Sequence, residues 1–157
     1  MTVILSIDPA SNKATKSNTG IVLIENGKLI DYWVVSYGVK GFKDWFDNNH
    51  SNLNYDVSIY EHFEARDNSK SKDNTVLETI AEIQKLIPCA EPFRNGGYQT
   101  DVPNELLKAL GLWRFGKSHH QDVRAAARLA LFYAMRNDLE DFVNGVGRLV
   151  NGSMEKY

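Results

Sequence analysis

Cysteine is almost missing from this sequence of 157 residues, which contains only Cys89. A single thiol cannot form an internal disulfide, so the chain suits a reducing compartment. Because Cys89 ends an apolar helical pattern, we expect it to be a buried core thiol. No apolar run approaches the ~18 residues of a membrane-spanning helix, and the N-terminus lacks the pattern of a signal peptide. These absences predict a cytoplasmic protein.

The sequence also lacks an excess of charge of either sign. Lys and Arg number 18 against 20 Asp and Glu, a net charge of -2. This balance excludes a general polycation, but it permits a nucleic-acid enzyme, because clustered carboxylates lower the net charge while basic residues collect elsewhere. Apolar residues make up 43% and charged residues 24%, as in soluble globular proteins. The sequence contains no internal repeat and no linker-like segment, so we expect one domain over residues 1–157.

The order of apolar segments predicts an α/β fold. Residues 3–7, 20–24 and 29–37 read as three strands, and the turn sequence Glu25-Asn26-Gly27-Lys28 makes the second and third a hairpin. Residues 56–63 are apolar on both faces until Glu61, which is typical of a central strand. The other predicted elements are a strand at 90–93 and helices at 41–48, 75–87, 104–110, 118–136 and 138–150. We therefore expect a mixed five-stranded sheet whose first three strands are antiparallel, flanked by helices.

Two carboxylates stand at the ends of predicted strands. Asp8 follows the first apolar run, and Glu61 lies near the end of the fourth. An ionised carboxylate beside a core is costly unless it is paired or holds a metal ion. The alternatives are that Asp8-Pro9 only starts a turn and that Glu61 forms a salt bridge at a strand end.

The predicted helix at 118–136 begins with further candidate ligands. His119 and Asp122 are three residues apart and share one face of the helix. Alanines at 125–127 would let this helix approach the sheet closely, so that Asp122 could join Asp8 and Glu61. Alternatively, Asp122 only favours the helix dipole and His119 lies near the cap.

Three segments together resemble the RuvC family of Holliday junction resolvases, of the RNase H-like superfamily. They read ILSIDPASNKATKSNTGIVLI, SIYEHFEAR and HHQDVRAAARLALFYA, in the family's order. The resemblance covers nearly the whole chain and looks closest to the phage-encoded branch, which would place the protein in the cytoplasm of a bacterial host. The chain departs from the family where Ala10 replaces the glycine of the usual Asp-Pro-Gly and a longer polar insert follows.

The resemblance implies a metal-dependent endodeoxyribonuclease that resolves four-way DNA junctions as a homodimer. The catalytic residues and metal ligands would be Asp8, Glu61, His119 and Asp122. In-line phosphodiester hydrolysis can use two divalent ions ~4 Å apart, and carboxylates suit Mg²⁺, with Mn²⁺ better able to accept a histidine. The helix at 75–87 is a plausible dimer interface, although its apolar stripe could equally well only cover the sheet.

Basic residues in predicted loops on the same side are candidates for contacts with DNA phosphates. They are Lys13, Lys16, Lys70, Lys72, Arg94, Arg114 and Lys117. Phe63 and Tyr98 could stack on bases, although packing is the more ordinary role for both.

Other functions remain open at the level of sequence. The chain could be an RNase H-like nuclease acting on another branched or hybrid substrate, because a fold does not determine a substrate. It could also be a junction-binding protein without catalysis if the acids are not clustered. An actin-type ATPase needs two lobes, for which 157 residues are too few.

Overall fold

The computed structural model describes residues 1–12, 17–64, 74–116 and 120–155. Its centre is a five-stranded sheet in the order β3-β2-β1-β4-β5. The strands are β1 (Val3–Asp8), β2 (Asn18–Glu25), β3 (Lys28–Ser36), β4 (Val57–Glu61) and β5 (Glu91–Phe93). The first three strands pair antiparallel, whereas β4 runs parallel to both β1 and β5. The predicted mixed sheet is therefore confirmed.

Helices of the described residues lie on both faces of this sheet. They are α1 (Gly38–Asn49), α2 (Val76–Leu86), α3 (Tyr98–Asp101), α4 (Asn104–Ala109), α5 (His120–Arg136) and α6 (Glu140–Glu155), with a 3-10 turn at His50–Asn52. The single turn α3 has no counterpart among the elements predicted from the sequence. None of the described helices has the length and apolar character needed to cross a bilayer.

The hairpin between β2 and β3 turns where the sequence predicts it. Asn26 and Gly27 both adopt positive φ angles, 48° and 87°. A tight two-residue turn of this kind favours asparagine followed by glycine, because glycine has no Cβ to oppose a left-handed backbone. The turn sets the pairing of Glu25 with Lys28, and an irregularity between Leu23 and Ile24 then shifts the register by one residue, so that Gly20 lies opposite Val34.

Alternation along the strands divides the core into two clusters. Ile4 of β1 and Ile59 of β4 pack with α5 on one face, whereas Leu5 and Tyr60 belong to the cluster on the other face. Successive side chains of a strand point to opposite faces, so each strand contributes to both clusters. Asp8 of β1 and Glu61 of β4 lie on the face that carries α5.

Helix α2 covers the second face of the sheet. Its buried residues include Ile80 and Ile83, which pack in the same cluster as Leu5 and Phe42. Leu77 remains 37% exposed. Most of the stripe that could have been a dimer interface is thus used to cover the sheet within this chain.

The prediction that Cys89 is a core thiol is wrong. Cys89 is exposed, in the turn that follows α2. Its neighbours Ile87 and Ala90 carry the apolar contacts of that turn and are 2% and 9% exposed. The helical period that suggested burial ends with α2 at Leu86, so it does not reach Cys89.

Candidate active site

The ends of β1 and β4 bring two carboxylates together. The strands are parallel neighbours, and Ile7 pairs with Tyr60, so Asp8 and Glu61 are the next residues on each strand. Both lie on the face of Ile4 and Ile59, which packs against α5. Strand register alone therefore places Asp8 beside Glu61, and their side chains are hydrogen-bonded to each other.

The first turn of α5 adds the third carboxylate. Asp8 pairs with Gly20 across β1 and β2, and a Cβ placed on Gly20 would lie only 2.2 Å from the backbone oxygen of Asp122. Ala126 and Ala127, further along α5, are fully buried against the sheet. The predicted close approach of this helix is therefore present, although Gly20 permits it at the site itself.

The three acids interact electrostatically. Burial raises the pKa of the Asp8 carboxyl well above its ordinary value, and the hydrogen bond to Glu61 and the negative charges of Glu61 and Asp122 raise it further. Two carboxyl groups can share a hydrogen bond only when one of them carries the proton. A positive charge near the cluster would therefore offset the repulsion among the three acids.

Two further residues of this site were not singled out for it from the sequence. Asn95 donates a short hydrogen bond from Nδ2 to Oε1 of Glu61. Tyr98 shares a hydrogen bond with Asn95, and burial and the charges of Glu61 and Asp8 raise the pKa of its phenol. The available signal was topological: Asn95 follows β5, the neighbour of β4, so it reaches the same sheet edge as Glu61.

A cleft of about 410 Å³ opens beside Glu61. His62 and Phe63 line it, so Phe63 lies within reach of a bound molecule. Glu64 forms the rim, where an oxygen of its carboxylate lies 2.6 Å from a guanidinium nitrogen of Arg94. That hydrogen bond lowers the pKa of Glu64. Arg94, predicted as a DNA contact, is therefore already paired with an acid.

The remaining predicted site residues fall into two groups. Arg114 is exposed in the segment between α4 and α5, as a DNA contact must be. The others lie outside the described residues: His119, Lys13, Lys16, Lys70, Lys72 and Lys117. The described part of the site thus consists of Asp8, Glu61 and Asp122 with Asn95 and Tyr98.

The chemistry of these donors fits a hard divalent cation. Carboxylate oxygens are the ligands that Mg²⁺ prefers in proteins, and a buried hydrogen-bonded pair of acids gains from a nearby positive charge. As they stand, no three His, Cys, Asp or Glu side chains among the described residues form a group that could hold a metal ion. Asp8 and Glu61 contact each other, and a cation held by both would offset the repulsion between their charges.

A mixed sheet in the order β3-β2-β1-β4-β5, with its first three strands antiparallel and helices on both faces, defines an RNase H-like fold. Two of the solved structures similar to this chain are of RuvC. One is the T. thermophilus RuvC in complex with Holliday junction substrate, at a TM-score of 0.57 and 10% identity, covering 90% of this chain and 98% of that chain. Another structure of Thermus thermophilus RuvC has a TM-score of 0.57 and 13% identity, covering 88% and 96%.

No protein-family model matches the sequence, and no curated protein matches it. At such low identities the likeness establishes the fold. The resemblance predicted from three short segments is confirmed at that level.

Proposed function

We propose that this protein is a metal-dependent endonuclease that cleaves branched DNA, with the four-way junction as its substrate. The observation that carries the proposal is the convergence of Asp8, Glu61 and Asp122 at one edge of an RNase H-like sheet. The structural neighbour solved with a Holliday junction substrate favours a branched DNA over other nucleic acids.

In the proposed site, Asp8, Glu61, Asp122 and His119 hold Mg²⁺, with Mn²⁺ able to replace it. The bound cations would supply an activated water and neutralise charge on the attacking and leaving oxygens. Asn95 orients Glu61 through its hydrogen bond to Oε1. Asp8 interacts with both Glu61 and Asp122, so it would be the central ligand of the site.

Productive resolution requires two incisions placed symmetrically in a junction. We therefore propose a symmetric homodimer with two such sites, because a two-fold axis of the protein would match the near two-fold axis of the substrate. The loop lysines and arginines predicted from the sequence remain the proposed contacts with the junction arms. Two of them, Arg94 and Arg114, are described and exposed, and Arg94 is paired with Glu64.

Cleavage of a synthetic four-way junction in Mg²⁺ tests the proposal directly. Linear duplex, a three-way junction and an RNA–DNA hybrid serve as competing substrates, and chelator serves as the metal control. We expect paired nicks in opposite strands of the four-way junction and no cleavage in chelator. Preferred cleavage of the hybrid would favour a different RNase H-like nuclease, and binding to the junction without metal-dependent cleavage would indicate a non-catalytic protein.

Substitutions of His119 test a proposed metal ligand that lies outside the described residues, so that only the sequence supports it. An imidazole binds metal when neutral, so activity should depend on a group that titrates near its unperturbed pKa of about 6.5. We expect His119→Asp to keep some Mg²⁺-dependent cleavage and His119→Ala to lose more, because alanine leaves a coordination position to water. Equal cleavage by His119→Ala and the unaltered protein from pH 6 to 9 would reduce the site to three carboxylates.

A further inference from the structure

A second concave surface is lined by Tyr98 and by residues of α5 that precede and follow Asp122 in the sequence. It has a volume of about 390 Å³ and is formed by α3, the first half of α5 and the segment before α5. The side chains that matter in it are Tyr98, Trp113, Gln121, Arg124 and Arg128. Two guanidinium groups, an amide and two aromatic rings therefore share one hollow, and we call it the arginine hollow.

Arg124 is held in a fixed position in this hollow. Its guanidinium carbon lies 3.6 Å from the centroid of the Trp113 ring, a close cation–π stack. Its Nε donates a hydrogen bond of 2.5 Å to the backbone oxygen of Trp113. Tryptophan thus orients the guanidinium through both its ring and its backbone, at the wall of the hollow.

The positive charge of Arg124 has no carboxylate partner among the salt bridges of the described residues. Arg124 is also half-buried. An arginine that is oriented, partly desolvated and not neutralised is well suited to bind an anion with a planar pair of N–H donors. Phosphate is the anion that such a fork recognises in nucleic acids.

Arg128 adds charge and rigidity one turn further along α5. It is 7% exposed and donates hydrogen bonds to the backbone oxygen of Val102 (3.0 Å) and to Oδ1 of Asn104 (2.6 Å). Both acceptors are uncharged, so the positive charge of Arg128 still contributes to the potential of the hollow. Its guanidinium carbon also lies 5.6 Å from the Tyr98 ring centroid.

Tyr98 connects the arginine hollow to the acids. The Tyr98 ring lines the hollow, and its hydroxyl shares a hydrogen bond with Asn95, which itself donates to Glu61. These two hydrogen bonds join the wall of the hollow to the acids.

We propose that the arginine hollow is a phosphate-binding subsite for the DNA strand that is cleaved, in which Arg124 binds a phosphate flanking the scissile one. Trp113 is then a positioning residue that acts through Arg124. The inference rests on the proposed function for the identity of the strand as DNA, and it gives α5 two tasks. Asp122 faces the sheet, whereas Arg124, two residues further on, lies on the other side of the helix, in the face that lines the hollow with Gln121 and Arg128.

The test measures binding in chelator, so that it does not depend on cleavage. A labelled four-way junction is titrated with the full chain at several salt concentrations. We expect Arg124→Gln to weaken binding about tenfold and to reduce the slope of log K against log salt by about 0.9, the contribution of one phosphate contact. Arg124→Lys should restore the slope but only part of the affinity, because lysine lacks the planar fork.

Arg148→Gln is the matched control. Arg148 is exposed on α6, and this variant loses the same charge outside the hollow. Trp113→Leu should weaken binding less than Arg124→Gln, with the salt slope unchanged. In Mg²⁺, Arg124→Gln should raise KM for the junction and change kcat little.

The inference is overturned if Arg124→Gln binds the junction with the affinity and salt slope of Arg148→Gln. That result leaves the proposed function intact if the unaltered protein still cleaves junctions. Conversely, a protein that never cleaves DNA but loses affinity through Arg124→Gln would refute the nuclease and retain the subsite. Thermal melting checks each variant, and the two Arg124 substitutions decide the question even if Trp113→Leu does not fold.

Discussion

Replacing Asp8 with asparagine will abolish cleavage while making the metal-free protein more stable. We expect activity to fall at least about a thousandfold, because a catalytic metal supplies several kcal/mol of transition-state stabilisation and each 1.36 kcal/mol is about tenfold in rate. Asparagine keeps the shape of the side chain and can still donate a hydrogen bond to Glu61. The substitution removes the charge that burial and two neighbouring acids disfavour.

The sign of the stability effect follows from the raised pKa of Asp8. A carboxyl group whose pKa is higher in the folded than in the unfolded protein opposes folding once the pH rises above its unfolded value, about 3.9. The stabilisation by Asp8→Asn should therefore be seen at neutral pH and should vanish as the pH falls below about 4.

Thermal unfolding in chelator from pH 3.5 to 8 measures this difference, and Mg²⁺ titration supplies the complementary measurement. Mg²⁺ should raise the melting temperature of the unaltered protein more than that of Asp8→Asn, because a ligand stabilises only the state that binds it. Unfolding of Asp8→Asn under native conditions would show instead that Asp8 mainly supports the Asp8-Pro9 turn.

Replacing Gly20 with alanine should have the second-largest effect. The added Cβ would lie 2.2 Å from the backbone oxygen of Asp122 and 2.7 Å from the backbone nitrogen of Val123. Backbone atoms cannot rotate aside as a side chain can, so the first turn of α5 must move away from the sheet. We expect a loss of about 1–3 kcal/mol in the free energy of unfolding, as for other overpacked sites.

The effect of Gly20→Ala on cleavage should exceed its effect on folding. A shift of about 1 Å in a catalytic group can cost about a hundredfold in rate, and the displaced turn carries Asp122. Urea unfolding and single-turnover cleavage of the same preparation separate the two effects.

Gly147→Ala is the matched control for this experiment. Gly147 lies in α6 with nothing within 4 Å of the place that its Cβ would take. Alanine there should stabilise the helix by about 0.5–1 kcal/mol and leave cleavage unchanged. Full activity in Gly20→Ala would mean that the approach of α5 to β2 does not determine the position of Asp122.

Local pattern was enough to predict the framework of the site. Period-two apolar runs identified the strands, the Asn26-Gly27 turn set the hairpin, and the apolar residues before Asp8 and Glu61 placed both acids at strand ends. Since side chains alternate along a strand, the register of β1 and β4 then puts both acids on one face. The roles of these acids as metal ligands, and the extent of one domain over 1–157, stay predictions.

The burial of residues in turns was harder to predict from the sequence. Cys89 follows the apolar stripe of α2 in sequence, yet it is exposed because the helix ends at Leu86 and the turn rotates it away from the core. A periodic pattern carries information only as far as the element that produces it continues. Helix ends are therefore where an assignment of core residues from sequence fails.

Apart from the single turn α3, the sequence by itself determined which elements form, in what order, and which strand ends carry acids, since these depend on short-range periodicity and turn chemistry. Only the tertiary structure decided the partners of those acids. Asn95 reaches Glu61 because β5 pairs with β4, and Gly20 admits α5 because no Cβ fills the gap. The stacking of Arg124 on Trp113 is also a tertiary contact. Trp113 belongs to the segment before α5, where no periodic pattern predicts which residues it meets. Such contacts depend on how closely separate elements pack, which is a property of the assembled core and of no single stretch of the chain.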